Sequence, residues 1–185
     1  MNIAVYLGSH AGDSPAYTNN ARALGMWIGS SGHTLVYGGT TAGLMGVLAD
    51  SALEAGGKVI GVLPNVPLIM DQKHPGLSEY ICSDDVADRR SRMIELADAF
   101  VALPGGLGTL DEITEVLSLV SLDLVRQPIV FFGAESYFEP FKVLFEHMIA
   151  KGFSSRGYFR NVCFTEDIGK LAAFLEGHNI NANYS

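Results

Sequence analysis

A chain of 185 residues, 48% hydrophobic and 17% charged, carries enough apolar material for one domain with a full core and too little length to argue for a second. Its formal charge of −8 and isoelectric point near 5.0 speak against nucleic-acid polymers and anionic membranes, which select a cationic footprint. The segment Met1–Leu7 has no basic leader and no run approaches membrane-spanning length, so a cytoplasmic location is expected.

Residues 2–7 read as a β-strand that feeds the polar turn Gly8-Ser9-His10-Ala11-Gly12, followed by a helix over about 15–30 that stops at Ser31-Gly32. A second strand, 33–37, runs into Gly38-Gly39-Thr40-Thr41-Ala42-Gly43-Leu44-Met45-Gly46, where a glycine turn opens a helix to about Ala55. Lys58 to Leu63 is the third strand. From Pro64 to Ser78 periodicity fails around Pro67, Pro75 and Gly76, and a loop with one short helix is expected. Glu79 to Cys82 is a short strand, and Ser83-Asp84-Asp85 caps a helix over 86–97. Ala99 to Leu103 is almost wholly apolar, as expected of a strand buried on both faces. It breaks at Pro104-Gly105-Gly106-Leu107-Gly108 before a helix predicted from Thr109. A strand at 129–132, a helix at 137–151, a strand at 161–164 and a last helix over 166–176 follow, with a frayed polar tail after Gly177.

Strands alternating with helices predict an α/β fold: a Rossmann-like three-layer αβα sandwich around a mostly parallel sheet of about seven strands, in a single domain over 1–185. Ligands of such sheets bind at the carboxyl ends of the strands. The turns after Leu7, Tyr37 and Leu103 must share that edge and together suit an anion, since glycine permits close backbone approach and a helix N-terminus presents free N–H groups. None is a P-loop, and none carries the dinucleotide fingerprint. Tight packing explains any one of these turns equally well, but not all three together. The two cysteines, Cys82 and Cys163, are expected as small buried hydrophobes, and the five histidines have neither metal spacing nor a nucleophile's context.

The helix after the third turn holds the acids Asp111, Glu112 and Glu115, which would repel a phosphate placed beside them. Thr109-x-x-Glu112 matches a capping box, so Glu112 serves the helix as readily as it serves a ligand. Glu115, one turn on, shares its face and is otherwise a solvated acid, opposite a core face of Ile113, Val116, Leu117 and Val120; Leu119 and Leu122 lie near the acids and suggest a partner subunit. In the helix from Asp84, an apolar line of Val86, Met93 and Ala97 is flanked by Arg89 and Arg90, which implies a buried anion, whereas solvated snorkelling suits Arg92 better. The aromatic and methionine residues of 137–151 read as core.

With these residues assembled, the chain resembles the lonely-guy family of cytokinin riboside 5′-monophosphate phosphoribohydrolases, long mislabelled as lysine decarboxylases. The likeness rests on P-G-G-x-G-T-x-x-E from Pro104 to Glu112, on Tyr37-Gly38-Gly39 through Gly43-Leu44-Met45-Gly46, and on Gly8-Ser9 with Pro15-Ala16-Tyr17. It implies hydrolysis of a nucleoside 5′-monophosphate to free base and ribose 5-phosphate without a cofactor, by a homodimer with sites near the subunit boundary. By this resemblance Arg89 and Glu112 are catalytic, and Gly8, Ser9, Gly38, Gly39, Thr40, Gly43, Met45, Arg90, Met93, Pro104, Gly105, Gly106, Gly108, Thr109 and Glu115 bind substrate. Glu115 is the candidate for the ribose hydroxyls, and Arg89 either orients Glu112 or binds phosphate or base. The chain departs from the family pattern in Arg90, where a lysine is usual, in Val86-Ala87, where Met-His is common, and in the loop 64–76. Two other classes compete. One is a non-catalytic carrier of a phosphorylated cofactor, such as the molybdenum-cofactor carriers of similar fold. The other is a pyridoxal phosphate decarboxylase, opposed by the expectation that Lys58, Lys73, Lys142, Lys151 and Lys170 all lie away from the glycine edge.

Overall fold

The computed structural model describes residues 1–134 and 136–182, without the side chains of Leu68 and 179–182. Its strands are β1 (Asn2–Tyr6), β2 (Thr34–Tyr37), β3 (Lys58–Pro64), β4 (Glu79–Ser83), β5 (Ala99–Ala102), β6 (Ile129–Phe132) and β7 (Val162–Thr165). They form one sheet in the order β4-β3-β2-β1-β5-β6-β7, and every neighbouring pair is parallel. The helices are α1 (Pro15–Ser30), α2 (Gly43–Glu54), the short α3 (Pro67–Met70), α4 (Val86–Leu96), α5 (Leu107–Ser121), α6 (Glu139–Ala150) and α7 (Ile168–Ala182), with a 3-10 turn at Arg156–Phe159. None of the described helices is long and apolar enough to cross a membrane.

The two-residue repeat of the strands divides the core. Ile3, Val5 and Leu7 of the central strand face one layer with Leu24, Ile28, Leu48 and Leu171 of α1, α2 and α7. Ala4 and Tyr6 face the other, with Met93, Ile113, Val116 and Phe145 of α4, α5 and α6. Burial on both faces is why the central strands read as continuous apolar runs. The chain winds outward from β1 through β2 and β3 to β4, then α4 returns it to β5 on the other flank of β1. The reversal opens a crevice between the carboxyl ends of β1 and β5, the place where such sheets take ligands.

Several expectations are corrected. Helix α7 runs past Gly177 to Ala182, so the expected frayed tail is helical as far as it is described, and residues 183–185 lie outside the described residues. Cys82 is exposed, because β4 is an edge strand; Cys163 is half-buried. Val86 is 45% exposed, since it opens α4 beyond the core edge. Of the aromatic and methionine residues expected as core in 137–151, Phe141 and Phe145 pack on Phe131, but Tyr137 and Met148 are exposed, at 39% and 37%. The irregular 64–78 segment doubles back: Thr40 and Lys73 form an antiparallel bridge, His74 N donates to Gly39 O at 2.9 Å, and buried His74 pairs with Asp50 at 3.0 Å.

Candidate active site

The three glycine turns meet as one rim. Gly8 N donates to Pro104 O at 3.1 Å, joining the turn after β1 to the turn after β5. Gly43, at φ +52°, abuts the backbone of Ser9 and His10 so closely that a Cβ there would collide with main chain. That contact holds the N-terminus of α2 against the first turn. The helix ends also differ in a telling way. Ser14 and Asp85 cap α1 and α4 with their side chains, whereas Ala42 and Gly106, at the rim, give α2 and α5 no side-chain cap. The first intrahelical bond of α5 runs from Leu110 N to Gly106 O, which leaves the N–H groups of Leu107, Gly108 and Thr109 directed outward. Thr109 is buried, with its hydroxyl against Gly105, and Tyr137 steadies the same turn by donating to Gly105 O at 2.5 Å.

Because α5 begins at Leu107, Thr109 is not its cap, and the capping-box reading of Glu112 fails. Glu112 is 8% exposed and receives Arg89 Nη2 on Oε1 at 2.6 Å. The arginine reaches it from α4 across the end of β2, where a Cβ on Gly38 would stand 2.9 Å from Nη2. Arg89, Glu112 and the glycine rim are therefore one constellation. Burial pushes the Glu112 carboxyl above the usual carboxylate range; the charge and hydrogen bond of Arg89, then the charge of Arg90, pull it down, and Asp111 pushes it up. Desolvation outweighs the arginines, so the carboxyl titrates above its ordinary value.

Arg90 continues the pattern one residue on. Its Nε donates to Glu115 Oε2 at 2.5 Å and its Nη1 lies 3.1 Å from Asp111 Oδ2, so Asp111 joins the site through a contact that spacing alone did not reveal. Arg92 instead pairs along its own helix with Asp88 at 2.7 Å. Of the other expected binding residues, Met45 sits at the rim with its sulfur 3.6 Å from Thr40 Oγ1. Met93, at 0% exposure, is packed into the apolar layer beneath the arginines, so its side chain supports α4 and is closed off from the rim. Gly39 and Thr40 are buried and tied to the 72–74 strap, which makes them walls of the rim. Lys73 is also corrected, since its backbone borders the second turn; its ammonium lies over the Tyr80 ring, 4.7 Å from the centroid. An open groove of about 490 Å³, walled by Leu107, Leu110, Tyr137, Phe141 and Leu144, runs along the α6 flank of α5. Glu112 and Glu115 occupy the opposite flank, facing α4.

Comparison with known proteins bears on this constellation. The family described as "Possible lysine decarboxylase" matches residues 45–175. The chain is 38% identical over 174 residues to a cytokinin riboside 5′-monophosphate phosphoribohydrolase of Rhodococcoides fascians, covering 93% of this chain and 88% of that protein. It is 33% identical over 174 residues to proteins of the same name from Oryza sativa subsp. japonica and Arabidopsis thaliana, covering 94% of this chain and 72% and 80% of theirs. The chain belongs to the lonely-guy family. The match at 45–175 takes in Arg89, Arg90, the Pro104–Thr109 turn, Glu112 and Glu115, whereas Gly8, Ser9, Gly38, Gly39, Thr40 and Gly43 precede it and are joined to the site by geometry. Solved structures carry the lonely-guy fold further afield. The molybdenum cofactor binding protein of Rippkaea orientalis superposes with a TM-score of 0.72 at 21% identity over 95% of both chains. The molybdenum cofactor carrier protein of Chlamydomonas reinhardtii does so with 0.71 at 23%, over 95% of this chain and 96% of that one. At those identities the likeness is one of fold.

Proposed function

We propose that this protein is an N-glycosidase that hydrolyses a nucleoside 5′-monophosphate, cytokinin riboside 5′-monophosphate or AMP, to the free base and ribose 5-phosphate. The observation that carries the reading is the buried Arg89–Glu112 pair, 2.6 Å apart, set beside a helix N-terminus that no side chain caps. The names of the relatives point to the same chemistry.

The phosphate seats on the N–H groups of Leu107, Gly108 and Thr109, between the turns at Gly8-Ser9 and Gly38–Gly43, and its binding energy orients the sugar. Extended along the α4 flank of α5, the ribose meets Glu112, with Glu115 and Arg90 near its hydroxyls. The C1′–N bond breaks with its electron pair leaving on the base, and positive charge develops on the sugar. The Glu112 carboxylate stabilises that charge and accepts a proton from the water whose oxygen bonds to C1′; the departing base takes a proton from solvent, and Glu112 returns its own to solvent. Arg89 holds the carboxylate in place. A homodimer accompanies this reading, for which exposed Leu107, Leu110, Leu122 and Leu124 offer apolar surface, and a light-scattering mass equal to one chain would remove it.

Incubation with AMP and with isopentenyladenosine monophosphate is expected to yield base and ribose 5-phosphate in equal amounts by chromatography. Adenosine, lacking the anchor, should react with kcat/KM lower by about a hundredfold or more. Base release from none of these would overturn the proposal, and a co-purified pterin would then favour the cofactor carrier. A carrier need not keep the acid–arginine pair, which is present here, and a decarboxylase would need a lysine amine where Lys73 instead covers Tyr80. Gly38→Ala supplies a milder test. Its methyl presses on the head of Arg89 without removing the cation, so the melting temperature should fall less than in Arg89→Ala, while kcat falls by about a hundredfold, the usual cost of misplacing a group by about an ångström.

A further inference from the structure

Tyr6 stands on the central strand β1 and packs in the apolar layer with Met93, Ile113 and Val116, its ring stacked on Phe100 at a centroid distance of 6.4 Å. Met93 is one turn beyond Arg89 and Ile113 follows Glu112, so Tyr6 lies beneath the acid pair. It is 1% exposed, and its hydroxyl is buried without a hydrogen-bond partner, as is Nε of Arg89. Folded chains pair buried polar groups almost without exception, and this one does so for its other large buried phenol: Tyr37 donates to Thr40 O at 3.2 Å. Among the described residues His33 Nε2 and Ser83 Oγ are also buried without a partner, but Tyr6 shares its apolar layer with the helix that carries Glu112, and a free donor there calls for a reason. Burial, and next the negative charge of Glu112, push the Tyr6 phenol far above its ordinary range, so it keeps its proton and remains a donor.

We propose that Tyr6 is a positioning residue for Glu112: when a ligand engages Arg89, the Tyr6 hydroxyl donates to the Glu112 carboxylate and keeps it ionised and aimed at the sugar. The charged and titratable groups around that carboxylate are Arg89 and Arg90 on α4, Asp111 and Glu115 on α5, and Tyr6 on β1. Of these, Tyr6 alone approaches from the sheet. The inference rests on the site proposed above.

The test is a carbon-13 NMR titration of the Glu112 carboxyl, assigned with Glu112→Gln, in wild type and Tyr6→Phe, free and saturated with ribose 5-phosphate. Tyr6→Phe keeps the ring and should fold. In the ligand-bound state its Glu112 midpoint should rise by about one pH unit, because a lost donor destabilises the anion. The acid limb of kcat should move up equally, and kcat should fall about tenfold with KM little changed. Fluorotyrosine at position 6, a stronger donor, should move the midpoint the other way. Coincident titrations in all these proteins would make Tyr6 packing alone and overturn the inference, even with base release intact. Shifted titrations in a chain that releases no base would sustain it while the hydrolase reading fell.

Discussion

Glu112→Gln is expected to lower kcat for base release by about a thousandfold while leaving KM within a few-fold. Glutamine keeps the shape and still accepts from Arg89 Nη2, now at 2.6 Å from Oε1, so binding survives; what goes is the negative charge and the proton acceptor. The pH profile sharpens the test. Wild-type kcat should rise with pH as Glu112 ionises, with its midpoint above the ordinary carboxylate value because burial outweighs the arginines, and the variant should lack that limb. Stability responds with the opposite sign from a salt-bridged surface acid. Glu112 holds its proton more tightly folded than unfolded, so its contribution falls as pH rises from the unfolded value through the folded one. Glu112→Gln should therefore melt no lower than wild type at neutral pH, and the two curves should converge below about pH 4.

Arg89→Ala should abolish activity and, unlike the first variant, also weaken the fold. The pair is mostly screened from solvent, with side-chain exposures of 19% for Arg89 and 9% for Glu112. Removing the cation leaves a buried carboxylate uncompensated, which costs about 3 kcal/mol at neutral pH, bounded by the cost of protonating the acid instead. Since the Glu112 value then rises further, the deficit should shrink as pH falls below it, and urea melts at two pH values read this directly. Adding Glu112→Gln to Arg89→Ala should restore stability and leave activity absent. Lost activity with unchanged stability at every pH would mean that the arginine serves only the ligand.

Much of this arrangement was legible in the sequence because its signals are local. An apolar run ending at Leu103 and a glycine turn predict a strand end and a helix start, and the Arg89–Arg90 pair beside Met93 and Ala97 marks arginines turned inward on α4. The failures have physical reasons as well. Thr109-x-x-Glu112 fits a capping box, yet α5 starts two residues earlier, at a glycine boundary whose backbone donors stay free. The capping pattern reads only four residues and is blind to the arginine waiting on another helix. Asp111 gained its partner, and Thr40 its bridge to Lys73, through contacts between segments far apart in sequence. Cys82 is exposed against expectation because a short strand does not announce that it will lie at the edge of a sheet. Nothing in the strand 2–7 singles out Tyr6; its unpaired hydroxyl in the layer beneath Glu112 does.

The deciding measurement is a crystal structure of Glu112→Gln with AMP bound. The phosphate should sit on the backbone of Leu107–Thr109, with C1′ about 3.5 Å from the side chain at 112 and Arg89 alongside. A nucleotide lying instead along the α6 flank of α5, its sugar turned away from residue 112, would contradict the proposed chemistry.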